Sequence, residues 1–377
     1  MFDKERWQRL TLWDWIVQLA LVALVVVIVW GAIESARVNL AALGVTSGFW
    51  FLDRSTGWSY SFALIEQSID DSYARTLLIG FLNTLLVGLI SIVFATIVGF
   101  IIGTARDSRN LGLQTFAGTF VQTFRNIPLI LQIVFLYSIL IHLPGPKQSL
   151  TVLDLAFMSN RGLMLPTPDL PGFAIVLGLA AAVGLGVAVR RHVDGVLRGL
   201  ALGFGGTVLA LALVALAFGP AGEPLLSVPQ LKGLRFRGGV TLSVELVAMI
   251  LGIVLYGSAY IAEVVRGGLN EVPKGLTEAG QALGMHAWAV WFKIKMPMAL
   301  RSIIPPLGNQ WIFIMKATTV GVAIGFSDLF YIVSTSITQS GQTLELIFIL
   351  MSAFLLVNFT IAQLVNLLNA HLALKGH

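Results

Sequence analysis

The run Thr76–Thr104, TLLIGFLNTLLVGLISIVFATIVGFIIGT, decides the fold, because no residue in it carries a charge. As a helix it extends about 44 Å at 1.5 Å per residue, enough to cross a hydrocarbon core roughly 30 Å thick. Backbone in lipid must satisfy its own N–H and C=O groups, which leaves helices or closed barrels. Barrel strands alternate polar and apolar residues over about ten positions, and this run does not alternate. It is read as a membrane-spanning helix.

Other stretches follow the same pattern, and composition agrees: 56% of the chain is hydrophobic and 11% charged, against roughly 25% charged in a soluble domain. Spans are expected at 14–33, 76–104, 116–142, 172–189, 199–218, 240–264, 303–326 and 343–370, giving an all-α polytopic membrane protein of about eight helices. The first follows Lys4, Arg6 and Arg9, as a secretory signal would. It is longer than a usual signal core and no small-residue cleavage site follows, so it is expected to be retained.

The formal charge of +5 is the kind that basic loops give a membrane protein, so nucleic acid is not an expected partner. With the N-terminus inside, 14 of the 24 Lys and Arg lie on the inner side and 8 on the outer, with Arg125 and Lys316 within spans. Cytoplasmic loops keep such an excess, so both termini and the loop 265–301 are expected in the cytoplasm. The absence of cysteine excludes disulfides and thiolate chemistry. The five histidines, His142, His192, His286, His371 and His377, lack metal spacing, and neither a catalytic residue nor a metal site is expected.

The loop 265–301 contains EAGQALGMHAWAVWFKIKMP, Glu278–Pro297, with an acid, two lysines and two tryptophans between oily neighbours. Pro273 suits a helix start and Gly284 a helix stop. A second helix is expected from His286 to Ile294, ended by Pro297. Two short helices with a glycine bend would lie at the membrane surface, either as an amphipathic connector with tryptophans in the headgroup belt or as a docking element.

The segment resembles the cytoplasmic EAA loop of bacterial ABC-importer permeases: EAA, three residues, Gly, nine residues, Ile, any residue, Leu-Pro. Glu278, Ala279, Gly284, Ile294 and Pro297 keep that spacing, while Gly280 stands for the second Ala and Met296 for Leu. FRNIPLILQIVFLY, AYIAEVVRGGLNEVPKGLTEAGQALGM and LRSIIPPLGNQWIFIMKATT are similar to polar amino-acid permeases of the histidine/glutamine/arginine type. The likeness covers about 75–142 and 240–370. The remainder resembles the larger permease subunit of general L-amino-acid importers.

The resemblance implies a type I permease core of five helices, supplemented by an N-terminal span and an inserted pair. Its parts would be 1–75, a span with a periplasmic loop; 76–142, the first part of the core; 143–239, the insertion; and 240–377, the second part with the coupling loop. It implies docking of a cytoplasmic ATPase dimer at Glu278, Ala279, Gly280, Gly284 and Pro297. It further implies a second permease subunit, a periplasmic amino-acid-binding protein and an inner-membrane location. The chain holds no GxxxxGK[ST] phosphate loop, GPKQS at Gly145 being too short. It is therefore not expected to be an enzyme or to hold a cofactor itself; ATP and Mg would be bound by the partner ATPase.

Polar residues inside spans are the candidates for a substrate path, since a charge in hydrocarbon costs several kcal/mol unless paired or hydrated. Lys316, about twelve residues into its expected span, could face a substrate carboxylate or make a structural pair. Glu245 could meet a substrate ammonium group or reach headgroup water. Thr84, Thr318 and Thr319 supply hydroxyls. Asn83 and Ser91, with Gln132, Asn309 and Gln310, either line a cavity or join helices. Arg125 is expected to snorkel to the interface, and Glu263 to pair with Arg266. The alternative is an ion-coupled secondary transporter, which would show two repeats with broken helices at mid-membrane; no repeat is visible.

Overall fold

The computed structural model describes residues 12–42, 48–152, 155–168, 205–206, 226–233 and 235–372. The expected spans 172–189 and 199–218 lie outside the described residues, apart from Gly205 and Gly206. The other six expected spans fall mainly on helix, but 240–264 opens with a strand at Val240–Leu242, 116–142 is interrupted at Ile127 and Pro128, and 303–326 passes from α-helix to a 3-10 turn after Ala317.

The helices are α1 (Leu12–Ala42), α2 (Tyr73–Arg106), α3 (Leu111–Asn126), α4 (Leu129–Ile141), α5 (Val244–Asn270), α6 (Lys274–Ala282), α7 (Ala287–Val290), α8 (Met296–Ala317), α9 (Leu329–Ser340) and α10 (Thr343–Leu372). Among the described residues, four helices are long and apolar enough to cross a membrane, or six if each bent pair counts as one span. The chain divides into two compact units, 1–84 with 327–363 and 85–326 with 364–377.

In the second unit, α5 is the central element, 67% buried across its most apolar window. Its start is set by Ser243, whose side chain accepts a hydrogen bond from the Leu246 N–H at the N-cap. Glycines let its neighbours approach closely. A Cβ on Gly252 would lie 2.5 Å from Ile133 of α4, and one on Gly268 would lie 2.4 Å from Ile303 of α8. Gly99 and Gly103 of α2 receive Ile261 and Val265 of α5 in the same way. Without a hydrophobic drive between helices in lipid, such small-residue contacts carry the packing.

One expected span is broken. The segment 116–142 forms α3 and α4, bent by 101°. Pro128 has no N–H and forces Ile127 out of the helical region, to φ −88 and ψ 126. The Nε2 of Gln132 donates to the Phe124 and Ile127 carbonyls, each at 2.8 Å, serving acceptors that the break leaves open.

The Pro- and Gly-rich connections contain short strands that the sequence does not announce. β1 (Leu150–Val152), β2 (Ala156–Ser159), β3 (Gly162–Leu165) and β8 (Val240–Leu242) form an antiparallel sheet in the order β1-β2-β3-β8. β4 (Thr167–Pro168) pairs with β5 (Leu226–Ser227), and β6 (Gln230–Lys232) with β7 (Arg235–Arg237). Strands this short fall below any readable alternation.

In the first unit the segment 48–72 folds onto helix. Phe51, Tyr60, Tyr73, Leu77, Ile79, Leu329, Ile332, Val333 and Leu346 make its core. Asn83 fastens it: its Oδ1 accepts from the Leu64 N–H at 3.0 Å, and its Nδ2 donates to the carbonyls of Phe62 at 3.0 Å and Ser327 at 2.8 Å.

Candidate coupling site

The segment 273–297 begins with Pro273 at the N-cap of α6. The helix ends in a Schellman motif: the Met285 N–H reaches the Gly280 carbonyl at 3.1 Å and the Gly284 N–H the Gln281 carbonyl at 2.9 Å. Gly284 has φ +77, a left-handed conformation that costs a side chain roughly 1–2 kcal/mol. A Cβ there would meet nothing within 4 Å, so its constraint is conformational. Gly280 is constrained by space: it is buried, and a Cβ would lie 2.7 Å from the Ile294 δ-methyl and 3.3 Å from Val290. Here α6 packs on the helix that follows, and the alanine of the EAA pattern fits if that methyl moves slightly.

His286 starts the second helix, its side chain accepting from the Trp288 N–H. The expected stop at Pro297 does not occur. Residues Trp291–Lys295 form a π-helical turn that runs into α8, with the Met296 N–H bonded to the Trp291 carbonyl. The wider turn precedes the proline, and Pro297 sits in the first turn of α8, where a missing N–H loses little.

Among the described residues, nothing covers the outward face of this element. Leu283 is 84% exposed and Trp288 67%, and Phe292 and Leu276 are exposed too. Glu278 and Ala279 are exposed beside them. The rings of Trp288 and Phe292 stack at 5.7 Å and border a crevice of 360 Å³ closed by Thr104, Asp107 and Ser108.

Ion pairs tie this element to the helix bundle. Lys295 Nζ meets Asp107 Oδ2 at 2.5 Å. The preceding residue, Arg106, pairs with Glu263 of α5. Glu263 also takes Arg125, from the end of α3, and Arg266, each at 3.1 Å. Arg125 thus turns in toward a carboxylate and stacks 5.0 Å over the Tyr260 ring, where the sequence suggested snorkelling. The Glu263–Arg266 pair is present but is one third of the arrangement. Asp107 and Arg106 gave no sequence signal for this, because their partners lie more than 150 positions away.

The polar span residues lie apart from this element in the chain. Thr84 is buried in the first unit and its Oγ1 accepts from the Leu329 N–H at 2.9 Å. Glu245, Lys316, Thr318 and Thr319 belong to the second unit. Glu245 is in the first turn of α5, and Lys316 is exposed in the last turn of α8. Because α8 ends at Ala317, short of the expected limit at 326, Lys316 stands in its last turn, where its charge complements the carbonyls. The hydroxyls of Thr318 and Thr319 donate back to the Met315 and Lys316 carbonyls. Among the described residues, no group of three His, Asp or Glu is placed to hold a metal.

The chain is 40% identical over 371 residues to the permease protein YhdX of Escherichia coli (strain K12), covering 96% of this chain and 94% of that one. It is 36% identical over 365 residues to the general L-amino acid transport system permease protein AapQ of Rhizobium johnstonii, covering 95% and 91%. With the glutamate/glutamine/aspartate/asparagine transport system permease protein BztB of Rhodobacter capsulatus the identity is 30% over 392 residues, covering 92% and 90%. Residues 174–373 match the binding-protein-dependent transport system inner membrane component family, and with likeness of this extent the chain belongs to that family, as a multi-pass permease subunit of an ABC importer.

Proposed function

We propose that the chain forms part of the translocation path of an amino-acid importer and is driven by a separate ATPase that docks on Glu278–Pro297. The observation that carries this reading is the uncovered face of α6 and α7: a rigid glycine bend with Glu278, Leu283 and Trp288 presented outward. A surface connector would explain Trp288 in the headgroup belt, but not why an acid stands ahead of a left-handed glycine at the spacing of the EAA pattern. Relatives named for general L-amino acids and for glutamate, glutamine, aspartate and asparagine support the substrate class. An ion-coupled mechanism finds no support, since the family is that of binding-protein-dependent systems.

The contacts suggest how a push at the loop reaches the spans. Lys295 is held to Asp107, and the adjacent Arg106 to Glu263, so displacement of the loop pulls on the ends of α2 and α5 together. ATP and Mg belong to the partner ATPase, with Glu278, Ala279, Gly284 and Pro297 on the docking side and Gly280 supporting them from beneath, where α6 packs on the helix that follows. The excess of basic residues supports a cytoplasmic position for this element and both termini. A periplasmic binding protein delivers substrate outside, and a second, different permease subunit completes the path. Glu245, Lys316, Thr318, Thr319 and Thr84 are the proposed path residues.

The test is Gly284→Asp in the assembled transporter. An aspartate Cβ would meet none of the described residues within 4 Å, so the variant should insert in the membrane at normal level while substrate-stimulated ATP hydrolysis and uptake fall at least tenfold. Normal coupling in that variant would overturn the docking assignment.

A further inference from the structure

The ionic cluster at the end of α5 is out of charge balance: Glu263 is one carboxylate facing Arg106, Arg125 and Arg266. The neighbouring Lys295–Asp107 pair is neutral as a unit. The three guanidiniums differ in access, with the Arg106 side chain 17% exposed and those of Arg125 and Arg266 39% and 40%. The single Glu263 carboxylate meets all three guanidiniums and cancels one charge, so the cluster keeps an excess of two positive charges, carried outward by Arg125 and Arg266. The stack on Tyr260 holds the Arg125 fork in one orientation, which suits bidentate contact with phosphate oxygens.

Beside this cluster lies an apolar crevice of 540 Å³ in the bend between α3 and α4, lined by Phe124, Ile127, Leu131, Phe135 and Leu255 among others. Phe124 is the residue before Arg125. Leu255 precedes Glu263 by eight positions on α5, about 12 Å along the axis at 1.5 Å per residue. The crevice thus lies toward the span interior from the arginines, at acyl-chain depth, while the guanidiniums lie at headgroup depth.

We propose that an anionic phospholipid of the cytoplasmic leaflet binds here, its phosphate on Arg125 and Arg266 and one acyl chain in the crevice. Charge complementarity selects the occupant, since an uncharged helix of another subunit would leave the arginine excess uncancelled. The inference rests on the sidedness proposed above, with the C-terminal end of α5 facing the cytoplasm.

The experiment is native mass spectrometry of the detergent-purified transporter complex, titrated with phosphatidylglycerol or phosphatidylcholine. Wild type should retain phosphatidylglycerol preferentially, and Arg125→Gln should lower that preference at least fivefold, while Arg125→Lys keeps part of it. Leu131→Trp, which fills the crevice from an exposed position, should reduce retention similarly, and Leu355→Trp on the exposed face of α10 should not. Equal retention of the two lipids by wild type, or undiminished preference in Arg125→Gln, would overturn the proposal. A complex that dissociates in Leu131→Trp, with no lipid preference in wild type, would overturn it too and assign the crevice to a subunit seat. Sidedness is read separately: Ser108→Cys, in a chain without cysteine, should resist an impermeant maleimide in spheroplasts. Labelling there would refute the orientation alone, because the lipid preference is measured in detergent.

Discussion

Asn83 and Ser91 share a face of α2 and look alike as sequence, yet their surroundings divide them. Asn83 is fully buried with three hydrogen bonds to backbone, whereas the Ser91 hydroxyl is buried without a partner. A buried backbone group stripped of its partner costs about 1–3 kcal/mol. Asn83→Leu strips the Leu64 N–H and the Ser327 carbonyl, while the Phe62 carbonyl keeps its bond from the Ser327 hydroxyl; it should destabilise the first unit by about 2 kcal/mol or more, seen as a lower midpoint in thermal unfolding of the purified complex. Ser91→Ala should leave that midpoint unchanged or raise it, and equal effects from both would contradict the bonding pattern. The sequence announced that polar groups sit in this span but not which one joins chain segments, because the partners of Asn83 are backbone groups of a distant loop. Thr84 shows the same limit, since its hydroxyl is committed to the Leu329 N–H.

The coupling segment was legible as an element. Pro273 and Gly284 mark the first helix and the bend, because these signals are local, a fixed φ and a left-handed φ, whereas Pro297, read as a stop, opens the next helix instead. Its attachment was not legible. The Lys295–Asp107 pair joins the π turn to the end of α2 across 188 positions, and no local rule reports a contact of that separation. Both side chains are roughly one-fifth exposed, so the pair is better shielded than a surface salt bridge, and breaking it should matter for force transmission. Asp107→Asn should lower uptake per ATP hydrolysed by a few-fold while leaving complex assembly intact. Coupling equal to wild type would show that the loop acts on the spans by another route. The bend between α3 and α4 was missed, since 116–142 reads as one span; Pro128 breaks it and the two bonds from Gln132 hold it as a fixed corner.

At the scale of the molecule, composition and apolar runs were enough for a helical membrane protein, because the bilayer admits so few backbone solutions. The substrate path was not readable in this way: Glu245, Lys316, Thr318 and Thr319 are of the right chemical types, but chemistry alone does not bring groups together. Glu245→Gln in the intact importer is expected to raise the concentration for half-maximal uptake several-fold for amino acids. An unchanged value for every substrate would remove Glu245 from the path. The seam between α2 and α5 carries a different consequence. Gly99 and Gly103 are one turn apart, as are Ile261 and Val265, which they receive. Two teeth and two notches of equal pitch make a rack, stable only in whole steps of about 6 Å at 1.5 Å per residue. A slip of one step would empty a notch and leave a tooth against solid backbone. This seam therefore travels as one piece during transport, and gating motion must be absorbed at other joints.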